Sequence, residues 1–376
     1  MEYIIPDYYD TFRCIAGKCP DTCCAGWEIM IDEQSMKRYK KQKGGFGNRL
    51  HNSIDPVEHC FYQYEHRCAF LNEDNLCDMV TEAGEQMLCK TCREFPRHVE
   101  EYENLREVSL SLGCPESARL LLERQKPVQW EQIFADEPEE EYKDFDYLLF
   151  ADLQQARKGI FSILQNRTYP IRTRMQTVLA LGHDLQKRLR EDRGYEIQTL
   201  VRKYQSEGLQ RMSEKWDSHK QTAGQKPPRQ QWMKELYRTL YKMETLKPAW
   251  KQMLKEQEQK LYECTPSEYA GMQAQPFDEI AEEQLMVYFI YMYFLGSVYD
   301  AHPHPYSRIK QAVVSTLLIR ELTLSGAGSL TEIAWRYSKE IEHSEENMNR
   351  MELLMRGKPE YGIHRLMELI GQPDPK

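Results

Sequence analysis

The sequence predicts a mainly α-helical protein: a small cysteine-rich, loop-rich N-terminal metal domain, residues 1–118, followed by a multi-helix domain, residues 119–376. Three observations predict it. Ten of the eleven cysteines fall between Cys14 and Cys114, in a stretch with little long-range periodicity. From Pro115 onward, apolar residues recur at helical spacing. The 376 residues, 41% of them hydrophobic, hold enough apolar mass for a real core and for roughly two to three domains.

Within the first region, the alternation Trp27-Glu28-Ile29-Met30-Ile31 reads as a short strand. Asp32 is placed to cap a short helix through Tyr39. Lys43 to Asn48 is glycine-rich and reads as a flexible loop; no strand precedes it and no Gly-Lys-Ser/Thr follows, so it is no phosphate cradle. Glu116 to Gln125 is apolar on one side and is stopped by Pro127. The acidic run Asp136 to Glu141 reads as a solvated linker leading into the next helix. Tyr147 to Leu164 then carries Leu149, Leu153, Ala156, Ile160 and Leu164 at helical spacing, and Ile171 to Leu189 repeats the pattern.

Residues 214–231 are polar and contain Pro227-Pro228, the composition of a flexible segment. Further helices are expected at Trp232 to Lys247, Ala249 to Glu263, Phe277 to Tyr299 and Ile309 to Leu324. His302-Pro303-His304-Pro305 forces a turn before the last of these. A final long helix is expected from Ala334 to Met355, in near-heptad register. Gly326-Ala327-Gly328 follows a helical pattern and reads as an ordinary loop rather than a nucleotide-binding turn.

Several function classes are disfavoured at once. The formal net charge of −9 has the wrong sign for a chain that neutralises phosphates, so no nucleic-acid partner is expected. No basic segment followed by an apolar run opens the sequence, so a cytoplasmic location is expected. The longest apolar stretch, Leu285 to Val298, is shorter than the roughly 20 residues a bilayer span needs. No transmembrane segment is expected; peripheral membrane contact stays open.

A cysteine density of this kind without an export signal points to metal binding or redox chemistry rather than a disulfide scaffold. Only Cys89-x2-Cys92 has the form of a zinc knuckle, and no matching pair follows. The vicinal Cys23-Cys24 suits a single zinc ion poorly. An iron–sulfur cluster takes thiolates from several segments and tolerates irregular spacing. It therefore ranks first, with zinc as the alternative metal and free thiols or disulfides third. His51, His59, His66 and His98 leave a mixed Cys/His site open.

Three ordered motifs carry a family resemblance. They are Phe12-Arg13-Cys14 through Cys23-Cys24-Ala25-Gly26-Trp27; Cys68-Ala69-Phe70-Leu71 through Leu76-Cys77 to Thr91-Cys92-Arg93-Glu94-Phe95-Pro96-Arg97; and Ser109 through Cys114-Pro115-Glu116 to Leu120. Together they resemble the bacterial flagellin lysine N-methylase family over about the first third of the chain. Tyr337 to His343 also looks family-like. The resemblance implies an S-adenosylmethionine-dependent enzyme that methylates the ε-amine of lysines on flagellin. It also implies a [4Fe–4S] cluster in the cysteine-rich region. The cysteines matching the pattern are Cys14, Cys19, Cys23, Cys24, Cys68, Cys77, Cys92 and Cys114; Cys60, Cys89 and Cys264 lie outside it. Eight thiols exceed the four that one cluster needs, so some are structural or a second metal is present.

The chemistry sets further requirements. A lysine amine, with a pKa of about 10.4, must be neutral to attack, by a base or by desolvation. No residue stands out in the sequence as that base. Arg93 and Arg97 are candidates to neutralise cluster charge or to grip the cofactor carboxylate, or form a plain surface pair. Asp21 and Trp27 are candidates to shape the pocket, Trp27 more simply as packing beneath the metal loop. An open iron chelating the cofactor is one possible arrangement. However, Cys19-x3-Cys23-Cys24 departs from the Cys-x3-Cys-x2-Cys of radical enzymes, so polar transfer stays open. The runner-up function is a non-catalytic zinc- or cluster-stapled interaction module, and a third is a metal-handling or redox protein.

Overall fold

Local signals become elements where the sequence places caps. In the computed structural model, which describes residues 1–138, 142–219 and 229–371, Asp32 accepts the Ser35 N–H at 2.9 Å and opens the helix Glu33–Tyr39. Asp146 likewise opens Tyr147–Leu164, with the expected bounds. The next predicted helix runs Ile171–Arg190. The later apolar segments form Arg229–Tyr237, Pro248–Tyr262, Glu279–Tyr293 and Pro305–Leu324. The molecule is mainly helical, as expected.

Five local expectations change. Trp27 to Ile31 forms no ladder, only a single bridge from Met30 to Cys60, with another from Ala25 to Arg67 just before it. The alternation is real, with Ile29 and Ile31 buried and Met30 exposed, but the facing segments are irregular. The glycine-rich stretch is a helix, Gly44–Asn52. Burying Leu50 and packing Phe46 on Phe70, ring centroids 6.2 Å apart, outweighs the poor helix propensity of glycine there. The final long helix is two, Leu330–Ile341 and Glu345–Gly357, because Ser344 caps the second and Asn347 donates back to the Glu340 carbonyl. In the polar segment, residues 220–228 lie outside the described residues, and the helix Leu209–His219 covers its front. Of the acidic run, residues 139–141 also lie outside them, while Glu137 accepts from Tyr3 and Arg106 rather than facing only water.

A four-stranded sheet has no counterpart in the sequence reading. Its order is Arg97–Tyr102, Leu105–Leu110, Glu2–Pro6, Trp130–Phe134. Glu2–Pro6 pairs parallel with Leu105–Leu110 and antiparallel with Trp130–Phe134. Helices cover it: Arg157 forms a buried ion pair with Glu107, and the Tyr291 hydroxyl donates to the Ile4 and Val108 carbonyls at 2.9 and 3.0 Å.

Two hydrophobic cores result. The small one gathers Ile29, Ile31, Tyr39, Leu50, Ile54, Phe61, Phe70, Met79 and Met87 around Cys68 and Cys89. The large one joins the helices to the sheet and includes Tyr8, Phe12 and Tyr102 to Leu122, so residues 1–118 contribute to both. No helix among the described residues is long and apolar enough to cross a membrane.

Candidate functional site

Short turns and helix starts position the cysteines. Cys77, Cys89 and Cys114 each occupy the residue before a helix: Asp78–Ala83, Lys90–Glu94 and Pro115–Leu122. Backbone N–H groups of the first turn point at each of these sulfurs and favour its thiolate. The Cys19–Trp27 loop lies against them. Trp27 Nε1 donates to the Cys23 carbonyl at 2.7 Å, Cys68 N to the Cys24 carbonyl at 2.9 Å, and Gly26 N to the His66 carbonyl at 2.8 Å. Gly26 has φ +92°, a conformation that a side chain would strain.

Cys23 and Cys24 hold their sulfurs 4.0 Å apart at the centre of the group. Cys23 acts electrostatically on Cys68, Cys77 and Cys114, Cys24 on Cys92, Cys14 on Cys19, and Cys19 on Cys114. Burial, reinforced by neighbouring thiols, pushes Cys68 and Cys114 up to about 11. The hydrogen bond from Cys24, then burial, pushes Cys23 up as well. Cys92 rises through its bond to Cys89, and the same bond holds Cys89 below the usual thiol range. Lys339 is the cation that opposes these shifts at Cys19 and Cys23. So many thiols sharing one ammonium cannot all ionise together, because each thiolate raises the cost of the next. Among the described residues, no three His, Cys, Asp or Glu side chains converge closely enough to hold one metal ion.

A cleft of about 340 Å³ opens beside the cysteine loop, lined among others by Asp21, Thr22, Gly26, Glu65, Arg67 and Lys247. Glu65 and His66 form its rim with φ of 51° and 62°, left-handed values that side chains adopt at a cost. Asp21 closes the inner end. Its carboxylate accepts from Lys247 Nζ at 2.9 and 3.0 Å and from Lys339 Nζ at 2.5 Å, and Lys339 also donates to the Thr22 carbonyl at 2.7 Å. Burial pushes Asp21 up, but the two lysines win and hold it below the ordinary carboxylate range.

Glu340 secures the facing wall by accepting the N–H groups of Leu246 and Lys247 at 2.8 and 3.0 Å. Burial raises it to about 7 against those donors. Behind the loop, Trp27, Phe95 and His343 pack tilted or edge-on, with centroids 5.6 to 5.9 Å apart. Burial and Lys339 push His343 down to about 4, so the ring is neutral, and its Nε2 meets Ser111 Oγ at 3.2 Å. Gly113 makes the room: a Cβ there would stand 2.5 Å from His343 Nε2.

The FliB lysine N-methylase C-terminal domain family matches residues 157–362, more than half of the chain and the source of Lys247, Lys339, Glu340 and His343. The chain belongs to the FliB lysine N-methylase family. It is 32% identical over 126 residues to the flagellar biosynthetic protein FliU of Salmonella muenchen, across 31% of this chain and 75% of that one. It is 31% identical over 137 residues to the lysine-N-methylases of Salmonella typhimurium and Salmonella choleraesuis, across 31% of this chain and 31% of each of theirs. No solved structure matches the chain.

In this lysine N-methylase family member the matched cysteines act on one another electrostatically, and Cys89, outside the matched pattern, bonds to Cys92. Cys14 is the exposed member. Cys60 faces Glu28, Asp55 and Glu58 instead, and Cys264 bonds to the Leu261 carbonyl. Arg93 is exposed on its helix, and Arg97 lies over Tyr9 and Phe12 at 5.7 and 5.3 Å; neither lines the cleft. His304 is indeed a turn residue, capping Pro305–Leu324. Asp21 does shape the pocket. The sequence reading missed its partners Lys247 and Lys339 and the clamp Glu340, although Lys339, Glu340 and His343 lie in the family-like segment.

Proposed function

We propose that this chain is an S-adenosylmethionine-dependent protein-lysine N-methyltransferase whose substrate is flagellin, with a [4Fe–4S] cluster in the thiol-rich region. The observation that carries the reading is the position of the Asp21 cleft. It is lined by the same loop that presents Cys19, Cys23 and Cys24, and by Lys247 from the family-matched part. The FliU and lysine-N-methylase names of the relatives support the substrate and the reaction.

The donor set suits a cluster better than a single ion. Thiols arrive from the loop, from Cys68, from the helix starts Cys77 and Cys114, and from Cys92, and a cluster spans wider ligand separations than one zinc does. Three or four of Cys14, Cys19, Cys23, Cys24, Cys68, Cys77, Cys92 and Cys114, with Cys89 beside them, would hold it. The cluster supplies positive charge to these thiolates, and an open iron site would anchor the methyl donor.

The chain's own residues do the rest. Glu65 at the rim draws an acceptor ammonium towards the cleft. At its inner end Asp21 already carries two lysines, so a third amine meets net positive charge, which favours its neutral, nucleophilic form. Glu340 and the packed rings of Trp27, Phe95 and His343 fix the two walls, keeping acceptor and donor in line.

Anaerobic purification followed by iron and sulfide analysis, with labelled S-adenosylmethionine and flagellin, tests the reading. The expected result is about four irons and four sulfides per chain and label on flagellin lysines. Zinc alone, or a loaded protein that transfers nothing, would count decisively against it.

A further inference from the structure

One amine already sits in the cleft. Lys247 lines it with a side chain 34% exposed, and its Nζ lies 2.9 and 3.0 Å from the two Asp21 oxygens. The ammonium is thus delivered by the chain itself to the point beside the cysteine loop that an incoming lysine has to reach. We propose that Lys247 is a self-methylation site. This rests on the methyltransferase reading above.

Three features set Lys247 apart from the other lysines. Its backbone is fixed: its own N–H and that of Leu246 are both held by Glu340, and Pro248 begins a helix directly after it. The stem crosses Gly26 closely enough that a Cβ there would meet Lys247 Cε at 3.5 Å. Lys339, the other lysine on Asp21, is only 7% exposed and donates to both Asp21 and the Thr22 carbonyl, so it is closed off from the cleft. A reactive group held in place by its own chain reacts as though at very high concentration.

In the step itself, Nζ first gives a proton to water in the cleft. Its lone pair then forms the N–C bond to the methyl carbon of a sulfonium donor as the C–S bond breaks. Sulfur keeps that electron pair as a neutral thioether. A monomethylated ammonium still has two N–H groups, enough for both bonds to Asp21; a second methyl would remove one of them. The expected product is therefore monomethyl-lysine.

The test incubates the metal-loaded full chain with labelled S-adenosylmethionine and flagellin in one tube, then maps label by peptide mass spectrometry. The expected result is one methyl on Lys247, at least ~10-fold above exposed Lys251 and Lys255, as an oriented amine should show. Its rate per molecule should not change with protein concentration. Label on flagellin with Lys247 bare overturns the inference and leaves the methyltransferase reading standing. Label on neither overturns both. Label spread evenly over exposed lysines, or a rate that climbs with protein concentration, also overturns self-methylation.

Discussion

The small core around Cys68 and Cys89 is assembled from helices of five to nine residues and a two-residue ladder, whereas the large core rests on helices as long as 20 residues. Helices as short as the first group are marginal without outside support. The large core needs little: Leu285, Ile309, Leu318 and Ile333 are fully buried, and several of the charges inside it are paired. Glu283, for instance, accepts from Arg174 at 2.6 Å and from Arg167 at 2.8 Å. In the small region the buried groups include thiols, and burial together with neighbouring sulfurs raises Cys68 and Cys92, with only Cys89 lowered. The large core has paired buried charges and long helices, and the small one has neither; the cluster proposed above would supply the missing compensation.

Removing the metal should separate them most sharply. Where ligand thiolates meet only on binding, metal affinity is folding free energy. Chelation or oxidative loss of the cluster is expected to abolish amide-exchange protection between Ile29 and Cys89. The helices Tyr147–Leu164, Ile171–Arg190 and Pro305–Leu324 should keep theirs. Simultaneous loss of protection in both regions would show that the cores are not independent; no change in either would remove the metal from the folding account.

The converse variant strikes only the large core. Glu283→Gln takes the counter-charge from Arg174, which is 2% exposed, and from Arg167. Breaking a buried ion pair costs ~3–5 kcal/mol, of which the half-exposed Glu279, 3.7 Å from Arg174, recovers a part. The helical unfolding transition should therefore move to lower denaturant, with iron content and the cluster absorbance retained. A loss of iron in step with helical stability would argue that the regions unfold together.

The same contrast explains what the sequence disclosed. The helical region was readable because periodicity and caps are local: Asp146 and Leu149 are three residues apart. Cysteine crowding was readable as composition. The sheet was not, since Glu2 pairs with Leu105 and Phe134, partners no local pattern specifies. The cleft was hidden for the same reason. Asp21 meets Lys247 across 226 positions and Lys339 across 318, and a lone aspartate in a loop says nothing about which lysines will reach it. Near-heptad spacing misled at Ser344, where a capping hydroxyl outranks apolar register.

The smallest expected effect sharpens the comparison through pH. His304 starts the helix Pro305–Leu324, with Nδ1 3.1 Å from Ser307 N and Nε2 3.1 Å from Arg190. Burial, then the charges of Arg356, Arg190 and Lys310 from three packed helices, push it down to about 4. Below its unfolded value near 6.5, the unfolded chain takes up a proton that the native chain refuses until about pH 4. Native stability contributed by this site is therefore full above pH 6.5 and falls as pH drops towards 4. His304→Asn keeps a capping side chain and removes the titration. Between pH 6.5 and 4.5 the variant should lose less stability than the parent, by on the order of 2 kcal/mol, measured by denaturant unfolding followed on the helices. The small core does not contain this histidine, so its exchange protection should follow the same pH course in both proteins. Parallel stability curves for parent and variant would place the acid sensitivity of the large core elsewhere, in its buried carboxylates.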